Sequence, residues 1–136
     1  MARTITVTGH RIKAGADTGH ELIQETVPEK NYALQDFFRI STTAAVGGKT
    51  WTFADLFAAV APKVRFVHIE NHDPTNDLIV TINKAGPTAV MSFDIDANGV
   101  FSWRGKLPVA DLEAINIVIA SDAGTPQYTL CLADTA

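Results

Sequence analysis

The chain has 136 residues and a mass of 14.6 kDa, with 11 Lys and Arg against 15 Asp and Glu, a formal charge of −4, 46% hydrophobic residues and 19% charged ones. That mass supports one hydrophobic core, and an acidic balance without basic runs excludes the usual nucleic-acid binder, which gains its affinity from Lys and Arg on phosphates. No apolar run approaches the roughly 20 residues of a membrane span.

The opening MARTITVTGH offers no basic start, apolar stretch and small-residue cleavage site, so no signal peptide is expected. Residues 1–31 are poorer in apolar side chains than residues 32–136, roughly a third against a half, the latter being the level of an ordinary globular domain. This divides the chain into an N-terminal arm, 1–31, and a β-sandwich core domain, 32–136. Within the arm, RTITVT places Ile5 and Val7 on one face and threonines on the other, the period-2 pattern of a half-buried strand. LIQETV before Pro28 is a second short strand candidate. FFRIST, Phe37 to Thr42, reads as a strand ahead of the Gly47-Gly48 loop.

TWTFADLFAAVAP then sets Phe53, Leu56, Phe57 and Val60 at i, i+3, i+4 and i+7, with Thr52 and Asp55 in capping-box spacing and Pro62 as the stop; this predicts the one helix. Beyond Pro62, VRFVHI, DLIVTIN, AVMSFDI, VFSW, AINIVIAS and QYTLCL are β-branched or aromatic runs bounded by Gly, Pro, Asn or Asp. Their alternation nominates core faces: Leu78, Val80 and Ile82; Met91, Phe93 and Ile95; Ile115, Ile117 and Ile119; Tyr128, Leu130 and Leu132. Asn98-Gly99 between two runs predicts a tight hairpin. About eight strands at this spacing predict a mainly β chain, an antiparallel jelly-roll-like sandwich with one short helix and an extended N-terminal arm.

Chemistry-bearing residues are sparse. His68 and His72 stand at i and i+4, a ligand spacing on a helix, but in a run from strand into turn that spacing aligns nothing. His10 and His20 lie in the polar arm. Asp94 and Asp96 alternate with Phe93 and Ile95 on one solvent face, where solubility and edge protection account for them. Asp73, Asn76 and Asp77 in HDPTND have the oxygens of a calcium loop, yet an Asx-Pro turn explains them and EF-hand spacing is missing. Cys131 alternates with Leu130 and Leu132 and reads as a structural thiol. Gly47-Gly48-Lys49-Thr50 has the end of a phosphate loop, but Thr43 stands where the first glycine belongs. Trp51 and Trp103 read as packing at the mouth of a sandwich, with Trp103 beside Arg104 as the alternative ligand platform. No catalytic residue, metal ligand or cofactor is assigned.

The stretch FVHIENHDPTNDLIVTIN, with GVFSWRGKLPVADLEAINIVIAS and QYTLCLAD, resembles small virion proteins of tailed bacteriophages, in particular head decoration or cement proteins with a jelly-roll-like core. The likeness covers residues 63–136 and rests on a strand pair and a late strand. It implies a non-enzymatic, commonly trimeric protein on the outside of an icosahedral shell, bridging major capsid subunits and assembled in the host cytoplasm. In that setting the arm, with Arg3, Ile5 and Val7, adds a strand to a partner's sheet. A tail or baseplate module and a carbohydrate- or receptor-binding jelly roll are the alternatives. Charge is unevenly placed: residues 1–68 hold 8 basic and 6 acidic side chains, residues 69–136 hold 3 and 9.

Overall fold

The computed structural model describes residues 3–7, 30–59, 61–85, 88–105 and 113–135. They form β1 (Arg3–Val7), β2 (Lys30–Thr43), β3 (Lys49–Thr52), one helical turn α1 (Phe53–Leu56), β4 (Val64–Asn71), β5 (Leu78–Lys84), β6 (Thr88–Ile95), β7 (Val100–Arg104), β8 (Ala114–Ser121) and β9 (Gln127–Thr135). Each β-branched run downstream of Pro62 becomes a strand, because alternating Val, Ile and Leu bury one pleated face and leave the other to polar groups.

Two antiparallel sheets result, with orders β1-β2-β9-β4-β7 and β3-β8-β5-β6. The pairings are nested. β5 and β6 form the innermost hairpin, β4 pairs with β7, β3 with β8, and β2 with β9, as in one antiparallel ribbon rolled upon itself. Lateral pairing of β9 with β4 and of β8 with β5 then joins the ribbon pairs into two layers. This is a jelly roll.

The inward faces meet in one core. Val67, Ile69, Leu78, Val80, Ile117 and Leu130 are fully buried there, each contributing about 1.5–3 kcal/mol by leaving water. The layers are also tied by a polar contact, the Trp51 Nε1–H donating to the Tyr128 hydroxyl at 3.0 Å. Phe38 lies 5.6 Å from the Trp51 ring and the Lys49 ammonium sits 4.3 Å above it, so the indole is enclosed on its apolar sides and bonded at its polar tip. Burial pushes the Tyr128 phenol above its ordinary pKa, and the indole bond opposes that in part.

Four expectations change. The helix is one turn long, because Thr52 is extended (φ −83, ψ 122), belongs to β3 and makes no side-chain cap, while Phe57 has already returned to extended backbone. That turn suffices to bury Phe53 and Phe57; Val60 lies outside the described residues. β3 itself is a strand hidden inside the helical pattern. Asn98-Gly99 joins strands of different sheets, since β6 pairs with β5 and β7 with β4. It is a corner turn in which the Gly99 N–H donates to the Asp96 carbonyl at 2.8 Å and Asn98 takes φ 58. A Cβ on Gly99 would stand 2.8 Å from that same oxygen, so close approach selects this glycine. Finally, Arg3–Val7 is not extended away from the chain: β1 pairs antiparallel with β2, with Ile5 opposite Tyr32. β2 begins at Lys30, so it crosses the division placed at residue 31. LIQETV, His10 and His20 lie outside the described residues.

Candidate functional site: the outward face of the five-stranded sheet

Cross-strand register sets the outward side chains of this sheet in rows. One row runs Phe37, Ala133, Phe66 and Arg104; the next Arg39, Cys131, His68 and Ser102; the next Ser41, Thr129, Glu70 and Val100. Cross-strand neighbours share a face, so these groups lie on one side of the sheet, with Ala133 and Thr129 buried among them. β4 runs on to Asn71, and the His72 N–H still donates to the Gln127 carbonyl at 2.9 Å. Alternation therefore continues past the point where the sequence suggested a turn, and His68, Glu70 and His72 project together.

Glu70 is the centre of this group. His68 Nε2 lies 2.9 Å from one carboxylate oxygen and His72 Nε2 3.5 Å from the other. His68 Nδ1 contacts Ser102 Oγ at 2.5 Å, His72 Nε2 contacts Thr129 Oγ1 at 2.9 Å, and Thr129 contacts Ser41 at 2.9 Å. The Phe66 and His68 rings are parallel, 6.4 Å apart. The hydrogen bond from His68 is the main reason that the Glu70 carboxyl sits below its ordinary pKa, with charge from His68, His72 and Arg39 adding to it. In the adjacent row burial pushes the Cys131 thiol up, and Arg39 offsets part of that. A thiol held protonated at neutral pH is a poor nucleophile. The earlier assignment of His68 and His72 as unaligned is thus corrected: they flank one carboxylate.

The second organised region is the end of the sandwich where loops 44–48, 72–77, 96–99 and 122–126 gather. Asn71, 3% exposed, is its hub. Its amide Nδ2 lies within hydrogen-bond distance of the carbonyls of Asn76 (2.9 Å), Ile95 (3.2 Å) and Asp96 (3.1 Å), and its Oδ1 accepts the Asp73 N–H at 3.0 Å. Asp73 Oδ1 accepts the N–H groups of Thr75 and Asn76, both at 2.8 Å, and those two bonds hold its carboxyl below the ordinary range. Asp77 accepts from the Ala97 N–H, and Asp122 from the Asp77 N–H. HDPTND is accordingly an Asx-turn whose acids bind backbone amides. Among the described residues no group of three or more His, Cys, Asp or Glu is arranged to hold a metal ion.

Other nominated residues are dispersed. Trp51 is core. Trp103 pairs with the fully buried Val67 and packs against the core, whereas Arg104 pairs with Phe66 on the outward side, so the two do not share a surface. Gly48 takes φ +74 because it closes a turn, its N–H donating to the Ala45 carbonyl at 2.9 Å, which accounts for that glycine without a phosphate. Asp94 is exposed on the edge strand of the four-stranded sheet, and Asp96 is exposed in the loop that follows it. Arg3, Ile5 and Val7 lie on β1, the outermost strand of the five-stranded sheet.

No family model matches the chain, and no curated protein does. Among solved structures it is similar to a protein from "Bacillus endospore appendages form a novel family of disulfide-linked pili", at TM-score 0.48 and 15% identity over 74% of this chain and 85% of that one. It is similar to PirA at TM-score 0.45 and 14% identity, over 70% and 92% of the two chains. The VP2 subviral particle of infectious bursal disease virus aligns at TM-score 0.28 and 14% identity, over 86% of this chain and 37% of that one. All three superpose below a TM-score of 0.5, so the role of this chain has to be argued from its own residues.

Proposed function

We propose that the chain is a non-enzymatic virion structural protein that binds the outside of an icosahedral phage capsid and bridges major capsid subunits, stabilising the head. The observation that carries this reading is the outward face of the four-stranded sheet. Register there sets Thr50, Val118, Thr81 and Ser92 in one row and Ala120, Ile79 and Asp94 in the next, with Asp94 the single charge in the two rows. An antiparallel sheet that faces water alternates apolar inward and polar outward residues. Here Val118, Ala120 and Ile79 stand half-buried on the solvent side, a flat, weakly polar surface suited to repeated contact with identical neighbours.

Charge collects elsewhere. Asp73, Asp77, Asp96 and Asp122 share the loop end, which holds no Lys or Arg in its four loops. Mutual repulsion favours keeping that end in solvent, so the contact with the shell is made by the sheet face and the acidic loop end stays clear of it. A trimer would multiply weak face contacts through effective concentration, and β1 with Arg3, Ile5 and Val7, at the edge of the other sheet and unpaired on its outer side among the described residues, would offer a separate strand-addition contact.

The test is co-sedimentation with assembled heads, with electron microscopy of heads with and without the protein. Wild-type protein pellets with heads and raises the temperature at which they rupture, because binding only the assembled lattice shifts its equilibrium. Thr81→Lys or Val118→Glu, on the flat face, abolishes pelleting and leaves the fold intact by circular dichroism. Wild-type protein left wholly in the supernatant refutes the reading.

A further inference from the structure

Both sheets end in an edge strand where the corner turn carries β6 into β7. Among the described residues β7 pairs with β4 alone. The ladder shows which of its backbone groups face the other way, because in an antiparallel pair residues that exchange main-chain bonds alternate with residues that exchange none. The Asn71 N–H donates to the Gly99 carbonyl at 2.9 Å, and the Gly105 N–H to the Arg65 carbonyl at 2.7 Å. Between those bonds Val67 stands opposite Trp103, His68 opposite Ser102 and Ile69 opposite Phe101. Bonding to β4 thus falls on Gly99, Phe101, Trp103 and Gly105, and the N–H and C=O groups of Val100 and Ser102 point away from it.

The first half of this edge is uncovered. Val100 is 60% exposed, and Ser102 is exposed too. A groove of about 200 Å³ opens where β7 leaves the corner, with Phe93, Ile95, Gly99, Val100 and Phe101 in its lining. Proteins that stay monomeric blunt such edges with Lys, Pro or bulges. VFSWR has no Lys or Pro, and its pairing with β4 runs without a register shift. Phe101 and Trp103, on the inward side, are only half-buried.

We propose that this edge takes β7 of a second copy of the chain, antiparallel about a two-fold axis through Ser102, so that the two five-stranded sheets become one. A partner can use the outward groups of Val100 and Ser102 only if its own fall in step with them. A second β7 meets that condition, since Ser102 then faces Ser102 in a bonded pair and Val100 faces Arg104. The side-chain faces agree as well. On the outward side Val100 comes under the long arginine stem of the other copy, and the row runs from Glu70 through Val100 to that arginine with no like charges opposed. On the inward side each Phe101 meets Trp103 of the other copy in a non-bonded pair, the kind that brings side chains closest. A slip of one residue would set inward aromatics against outward polar groups, and a slip of two would shorten the overlap. Since the same edge is used twice, the interface is isologous and closes as a dimer. Pairing in the plane of the sheet leaves the outward face of the four-stranded sheet open, so the inference stands apart from the capsid reading and its test uses purified protein alone.

Sedimentation velocity under reducing conditions, which keep Cys131 a thiol, and amide hydrogen exchange by NMR test it. Concentrated wild-type protein should sediment as a dimer, with slowed exchange at Val100 and Ser102. Val100→Pro removes one outward N–H and no bond to β4, so it should sediment as a monomer with an unchanged circular dichroism spectrum. In that variant Ser102 should lose its protection while Phe101 and Trp103 keep theirs; Val100→Thr, which retains the N–H, should stay dimeric. Wild-type protein that remains a monomer at its solubility limit overturns the proposal. A dimer whose Val100 and Ser102 amides exchange as fast as in the monomer overturns it too, and that reading needs no variant to fold.

Discussion

At the scale of single residues, one buried polar side chain ties together the loop end of the sandwich. Asn71 holds three carbonyls and one amide from segments that no apolar contact would align. Asn71→Ala leaves those buried groups unsatisfied, and urea unfolding should show a loss of about 2–3 kcal/mol. Glu70 gives a pH signature. Its folded pKa lies below the ordinary glutamate value of 4.5, so its contribution to stability is complete above that value and is lost as pH falls through the folded pKa. The urea midpoint of Glu70→Gln should therefore lie below wild type at pH 7, with the gap closing as both are taken to pH 3. A gap that stays constant over that range would show that the carboxylate's charge is not what His68 and His72 recognise.

At the scale of elements, turns rather than strands carry the sharpest constraints. In the corner between β6 and β7, Gly99→Ala drives a Cβ into the Asp96 carbonyl and should cost roughly 1–3 kcal/mol by denaturant titration. Asn98→Gly should be tolerated, because that position already has positive φ. The same corner shows why an Asn-Gly pair was misassigned: the dipeptide reports local backbone freedom, and whether its flanking strands pair is settled by partners far along the chain. Phe53, Leu56 and Phe57 fit a helical stripe equally well whether the helix has one turn or three. β3 claims Lys49–Thr52 because Trp51 must reach Tyr128 in the facing sheet, and that contact is invisible to local periodicity.

At the scale of the whole molecule, nesting makes the fold dependent on distant pairings. β2 and β9 are neighbours in space, with Ser41 bonded to Thr129 88 positions away. Topologies dominated by such contacts pay loop-closure entropy before packing rewards them, so refolding in stopped flow should take milliseconds to seconds. Only the β5–β6 hairpin is local among the ribbon pairs. Substitutions at Val80 or Ile82 should slow folding more than equally destabilising ones at Leu132, as a chevron series would read out. Equal slowing at both ends would refute a hairpin-first order.

Local chemistry was enough to place most strands and the inward residues of β5, β8 and β9, since alternating Ile, Val and Leu have one low-energy use on a pleat. It also read Cys131, alternating with Leu130 and Leu132, as a structural thiol, and that thiol is half-buried; the Asx-turn at Asp73 was legible too. The site was less legible. His68 and His72 looked unrelated because a strand ending at Ile69 would not align them, and only β9, by continuing to pair with β4, carries the alternation to His72. Likewise Trp103 and Arg104 are adjacent in sequence and face opposite sides in space. Periodicity within a segment determines which residues share a face; which faces meet, which edges stay open and where the net charge of −4 gathers depend on strand order, and strand order is a property of long-range packing.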